Sequence, residues 1–157
     1  MMIRLELNGW DARIGFSASH IIPGHKKCGR LHGHNYAISA RIEGVETSDG
    51  LVLDFITLKK ELRRIADELD HRTLIARGGN LFQVCGKEVE VTVGEKRYVF
   101  PREDVVLLDI GHSTTEDLAK YVLDRLVEEY HIPENIKVIE IGVDESPGQG
   151  AWVRREL

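Results

Sequence analysis

The sequence predicts an α+β domain with an antiparallel sheet and two helices on one face, and three observations lead there. Two stretches near the N-terminus alternate with a period of two and are joined by a short connection. Two later stretches repeat apolar residues at helical spacing. A further pair of strand candidates closes the chain. With 157 residues, 42% hydrophobic and 30% charged, the chain has the length and composition of one ordinary globular domain.

The first stretch, residues 2–22, reads as one extended strand, with Trp10, Ala12, Ile14, Phe16, Ala18 and His20 sharing a parity. A loop with Pro23, Gly24 and Gly29 leads into residues 31–44, where His32, His34, Tyr36, Ile38, Ala40 and Ile42 share a parity in turn. The short connection suits an antiparallel pair. Leu58, Leu62, Ile65 and Leu69 then mark a helix over residues 57–70, with Thr57 as its N-cap. Residues 113–130 form the second helix, where Ser113 and Glu116 have capping-box spacing and Leu118, Tyr121, Val122, Leu126 and Tyr130 form the apolar stripe. Between the helices, Val89, Val91 and Val93 run up to a Gly94-Glu95 turn, which reads as a hairpin inside an insertion at about 77–105. Residues 136–145 and 151–157 are the last two strands, joined by Ser-Pro-Gly-Gln-Gly, so the four main strands form one sheet. No repeat or linker divides the chain, which is expected to be a single domain over 1–157.

A net charge of −5 argues against nucleic acid as the partner, and no apolar run is long enough to span a membrane. The N-terminal stretch has no charged-then-apolar signal pattern, so a cytoplasmic protein with free thiols at Cys28 and Cys85 is expected.

The chemistry concentrates in the stretch HKKCGRLHGH, residues 25–34. In an antiparallel pair, His20 at the end of one strand lies beside His32 and His34 at the start of the next. Three neutral imidazoles with a fourth position open are the ligand set of a catalytic zinc, whereas a structural zinc closes all four positions. His25 or Cys28 as a fourth ligand would make the site structural, and the rival reading is accordingly a non-catalytic zinc-stabilised domain. Cys28, beside a metal and near Lys26, Lys27 and Arg30, is suited to act as a thiolate base or nucleophile. Asp70-His71 lies at the exit of the first helix, either as a charged helix end or as an oriented acid–base pair. Glu145 shares parity with Ile139, Ile141 and Val143, so it ends an apolar face, where it either meets a paired donor such as a guanidine-like heterocycle or is solvated.

Taken in order, FSASH, GHKKCGRLHGHNY, DGLVLDFITLKKEL, LDHRTL, STTEDLAKYV and the glutamate of VDES resemble the family of 6-pyruvoyltetrahydropterin and 6-carboxytetrahydropterin synthases. The resemblance covers nearly the whole chain outside the 77–105 segment. It implies zinc on His20, His32 and His34, a proton-transfer set of Cys28, Asp70 and His71, and a pterin ring held by Glu145 with Thr114 and Thr115 nearby. It also implies the tunnelling fold, in which trimers close a β-barrel and pair into hexamers with active sites between subunits. The implied substrate is 7,8-dihydroneopterin triphosphate. Three residues between Cys28 and His32 resemble the queuosine-pathway branch, which makes the 6-carboxy product. Ser113-Thr114-Thr115-Glu116 resembles the animal branch, which makes the 6-pyruvoyl product. A third branch carries Glu in place of the cysteine, and Cys28 argues against it.

Overall fold

The computed structural model describes residues 1–157. Its elements, in chain order, are β1 (Ile3–Leu7), β2 (Gly15–His20), β3 (His32–Gly44), α1 (Phe55–Leu69), β4 (Arg72–Ala76), β5 (Phe82–Cys85), β6 (Glu88–Val93), β7 (Lys96–Pro101), a 3-10 turn (Arg102–Asp104), β8 (Val105–Leu108), α2 (Thr115–Glu129), β9 (Ile136–Ser146) and β10 (Gln149–Glu156). The α+β class with two helices on a sheet is as predicted. Neither helix is long and apolar enough to cross a membrane.

The main sheet has seven strands rather than four, in the order β10-β9-β3-β2-β4-β8, with β1 also paired to β3. The four predicted strands are its centre and one flank. The added β4 and β8 run parallel to their neighbours. Their sequences, RTLIA and VVLL, show no alternation because β4 is covered on both sides. Leu74 joins the main core, while Ile75 packs with Val105 against Val89 and Val91 of a second sheet. That sheet, β5-β6-β7, contains the predicted hairpin, turning at Gly94, whose φ of 61° only glycine adopts freely, and extends it by one strand.

The first predicted strand is broken. Residues 8–13 form a turn in which the Asn8 Oδ1 accepts the N–H groups of Trp10 and Asp11, a local alternative to the sheet ladder that parity cannot reveal. Gly9 is required there, since a Cβ would come 2.3 Å from the Ile38 carbonyl oxygen. The two halves then lie end to end along β3, β1 pairing with Ala40–Gly44 and β2 with His32–Ala37.

The helix starts are also corrected. Asp54, not Thr57, caps α1, and its carboxylate accepts the Ile56 N–H at 2.9 Å and the Thr57 hydroxyl at 3.0 Å. Thr114, not Ser113, caps α2 through the Asp117 N–H. Leu58, Leu62, Ile65, Ala66 and Leu69 of α1 and Leu118, Ala119, Val122, Leu123 and Leu126 of α2 bury their stripes against Phe16, Tyr36, Ile38, Ile141 and Val143 of the sheet. This core occupies the same sheet face as His20, so the histidines sit where that face runs out of apolar cover.

Candidate metal centre and its surroundings

The pairing of β2 with β3 sets His20 opposite His32 and Ala18 opposite His34. All three imidazoles therefore share a face, with centroid separations of 4.6, 5.2 and 5.1 Å, and one ring nitrogen from each lies within 4.8 Å of the others. The main chain fixes two of the tautomers. His20 Nδ1 is 2.7 Å from the Ser113 carbonyl and His32 Nδ1 is 2.7 Å from the Arg30 carbonyl. A carbonyl only accepts, so both Nδ1 atoms carry the proton and both Nε2 atoms present lone pairs. These lone pairs face each other across 3.1 Å. His20 is 2% exposed, and burial pushes its pKa down to about 4 against the pull of the Ser113 carbonyl, with His32 and His34 adding to the drop. It is therefore neutral at pH 7, the state that ligates.

Two facing lone pairs repel unless a cation lies between them. A tetrahedral ion bound at about 2.0–2.1 Å sets its nitrogen ligands roughly 3.4 Å apart, close to the separation seen here. Backbone carbonyls that orient the outer ring nitrogen are the usual support of metal-binding histidines. The donor set thus fits a borderline divalent ion such as zinc, and the three histidines could hold one. Neither His25 nor Cys28 belongs to the converging set. The His25 Nδ1 is instead occupied by the Cys28 N–H at 2.9 Å.

Cys28 is half-buried on the loop between β2 and β3, with its carbonyl bonded by the N–H of Ile22, two residues past His20. Glu145 reaches the cluster from β9, where Oε2 stands 3.8 Å from His34 Nε2 with both side chains about one quarter exposed. A register shift explains its aim. Asp144 pairs with Gly150 and Ser146 with Gln149, leaving Glu145 as the extra residue of a bulge. Gly150 is obligatory there, because a Cβ would lie 2.4 Å from the Val143 carbonyl. Thr114 and Thr115 open α2, immediately after the Ser113 whose carbonyl holds His20. The Thr114 hydroxyl is spent on capping and that of Thr115 on Glu116.

The Asp70-His71 pair is placed differently. Adjacent Asp and His side chains do not usually meet well, yet here His71 Nδ1 lies 2.7 Å from Asp70 Oδ2. The reason is the His71 backbone, held at φ 55°, in the left-handed region, which folds the ring back onto the carboxylate. Ser17 of β2 pins the turn from both sides. Its N–H donates to Asp70 Oδ1 at 2.7 Å and its carbonyl accepts the His71 N–H at 2.7 Å. The Ser17 bond, reinforced by His71, holds the Asp70 carboxyl below its ordinary pKa against a desolvation that pushes it up. The His71 side chain is 84% exposed. Ser17 is three residues from His20, about 10 Å along a strand. A polar cavity of about 600 Å³ lies beside β2, lined by both His34 and His71 with Ser17, Ser19, Asn35 and Thr73.

Three participants carried no predicted role. Ser113 works through its carbonyl, which no side-chain pattern signals. Tyr36 is 2% exposed, with its hydroxyl 3.4 Å from both ring nitrogens of His20, and burial raises its pKa. Its parity with His32 and His34 was the available signal. Gln149 donates from Nε2 to Glu145 Oε1, a contact created by the bulge.

A three-histidine centre at the rim of a sheet, with a carboxylate beside it and two helices behind it, defines a class of metal-site α+β domain. A family model described as 6-pyruvoyl tetrahydropterin synthase matches residues 11–156, and the chain belongs to that family, with its tunnelling fold. It is 37% identical to a putative 6-carboxy-5,6,7,8-tetrahydropterin synthase of Methanocaldococcus jannaschii over 98% of this chain and 97% of that protein. A Pyrococcus horikoshii protein of the same description is 32% identical over 88% of this chain and 84% of its own length. A solved Plasmodium vivax 6-pyruvoyltetrahydropterin synthase, carrying cysteine in place of a catalytic glutamate, superposes with a TM-score of 0.92 at 31% identity, covering 100% of this chain and 99% of that one. Near-complete coverage in both directions means that this neighbour has about the same extent as the present chain, 77–105 segment included. The chain is a tetrahydropterin synthase family member, an enzyme acting on pterins.

Proposed function

We propose that the chain converts 7,8-dihydroneopterin triphosphate and one water to 6-carboxy-5,6,7,8-tetrahydropterin, releasing triphosphate and acetaldehyde, with zinc held by His20, His32 and His34. The observation that carries this is the pair of bare Nε2 atoms facing each other while main-chain carbonyls hold the outer nitrogens. When bound, zinc supplies Lewis acidity that lowers the pKa of hydroxyls on the substrate side chain. Glu145 accepts the paired N–H groups of the pterin ring, a planar match for a carboxylate, with Thr114 and Thr115 flanking that ring. Cys28 takes a proton from the substrate side chain. His71, its ring set by Asp70, delivers or removes the next one. The exposure of His71 supports a homo-oligomer, a hexamer built as a dimer of trimers, in which Asp70-His71 of one chain serves Cys28 of another. The names of the archaeal relatives and the three-residue gap between Cys28 and His32 favour the carboxy product in a cytoplasmic, queuosine-type pathway. The likeness to the Plasmodium vivax enzyme favours a second reading, elimination of triphosphate alone to give 6-pyruvoyltetrahydropterin.

Incubation of the zinc-loaded protein with dihydroneopterin triphosphate, followed by mass identification of the pterin, separates these. A 6-carboxy product with acetaldehyde supports the first reading and a 6-pyruvoyl product the second. An unconsumed substrate sinks both.

A further inference from the structure

His25 has no part in the centre just described, yet it is the first histidine of the motif that contains two of its three imidazoles. Its imidazole makes one contact of consequence, in which Nδ1 accepts the Cys28 N–H at 2.9 Å. An acceptor Nδ1 places the ring proton on Nε2, so the tautomer is set. The rest of the loop is built around this bond. Ile22 donates its N–H to the Cys28 carbonyl at 2.9 Å, its own carbonyl accepts the His25 N–H at 3.2 Å, and the His25 carbonyl accepts the Gly29 N–H at 2.9 Å. Gly29 packs so closely that a Cβ would sit 2.4 Å from the His25 carbonyl oxygen. Both backbone polar groups of Cys28 are thus tied, one to the segment leaving His20 and one to the His25 ring.

We propose that His25 is a positioning residue for Cys28, its Nδ1 lone pair holding the Cys28 backbone and thereby fixing where the thiol stands relative to His20, His32 and His34. This rests on the reading of Cys28 as a proton-transfer residue. The geometry is that of a helix N-cap, a side-chain acceptor taking the N–H three residues on, but no helix follows. The ring is therefore not there to start a helix, and what it orders is the loop that carries the thiol. His25 is exposed, so its loss perturbs the fold little, as for other surface positions. Its effect falls on the position of the thiol, where a displacement of about 1 Å is enough to cost roughly a hundredfold in rate.

The test uses the full chain with Cys85→Ser, which removes the exposed second thiol on β5. Alkylation of Cys28 by iodoacetamide is followed against pH in this parent, in His25→Ala and in His25→Asn, whose side-chain oxygen can accept the same N–H. Steady-state kinetics on dihydroneopterin triphosphate run alongside. His25→Ala is expected to change the alkylation rate by about five- to tenfold, as for loss of one hydrogen bond, and to lower kcat with KM nearly unchanged. His25→Asn restores both to within about threefold of the parent on the same scale. Parent-like alkylation in His25→Ala overturns the proposal, and so does an Asn variant as impaired as Ala, since the acceptor atom is then not what matters. Bound zinc, measured on each variant, stays at the parent level, and its loss in His25→Ala also overturns the proposal. If the parent turns over no pterin while the alkylation differences stand, the clamp holds and it is the proposed reaction that fails.

Discussion

The two histidine-bearing regions of the proposed site are built on opposite plans. The cluster of His20, His32 and His34 converges within one chain, on one sheet face, with outer ring nitrogens held by the Ser113 and Arg30 carbonyls. Asp70-His71 is just as firmly pinned, to Ser17 and through a left-handed residue, but it points outward with 84% of the His71 side chain exposed. One region converges within its own chain, and the other presents a pinned ring to solvent. An exposed ring held in a left-handed backbone conformation by Asp70 and Ser17 is the observation behind the proposal that it works at a neighbouring subunit.

The largest expected effect breaks the first region. His32→Ala should lower zinc affinity by more than about a hundredfold, beyond the loss seen for outer-shell changes, and abolish turnover. Because the 25-residue apolar core does not involve the cluster, chelation should leave the fold in place, measured by circular dichroism before and after dialysis against a chelator. Unfolding on chelation would instead indicate a structural metal.

The next effect breaks the second region and leaves the first alone. Asp70→Asn should retain zinc and lower kcat by about 10²- to 10⁴-fold, the range of a lost acid–base contribution. Crossing the two variants sharpens the comparison. Chains carrying His32→Ala, co-assembled with chains carrying Asp70→Asn, should recover measurable turnover if each site combines residues of two subunits. No recovery means that the pair serves its own chain.

The smallest effect concerns stability against pH. The folded Asp70 carboxyl has a pKa below its unfolded value of 3.8, so the unfolded chain binds more protons between the two. The stability this contributes is complete above pH 3.8 and is lost as the pH falls through the lowered folded value. The difference in urea midpoint between the parent and Asp70→Asn should therefore be larger at pH 6 than at pH 3. A constant difference would remove the Ser17 bond as the cause.

The legible parts of the fold were those whose burial is one-sided. Parity set His20, His32 and His34 on one face, and helical spacing marked α1 and α2, because each element meets the core on one side only and its sequence alternates or repeats accordingly. β4 and β8 were missed for the converse reason, since strands covered on both sides lose the alternation. The break between β1 and β2 was missed because Asn8 takes two backbone N–H groups with its own side chain, a local choice that leaves no periodic trace. At the site, the convergence of the three histidines was readable from two adjacent strands, while the Glu145 contacts depended on a bulge and the His71 orientation on one backbone torsion.

What the sequence determined by itself is the short-range part, namely three imidazoles at the rim of an antiparallel pair, a thiol four residues before the second of them, and two amphipathic helices to cover the sheet. These follow from periodicities of two and 3.6, which are properties of the backbone. Only the tertiary structure decided that the Ser113 carbonyl holds the His20 ring, that Glu145 turns toward His34, and that Ser17 pins Asp70-His71. Those choices are made by residues far apart in the chain, Ser113 and His20 by 93 positions and Glu145 and His34 by more, whose meeting depends on how the sheet and helices pack rather than on any local preference.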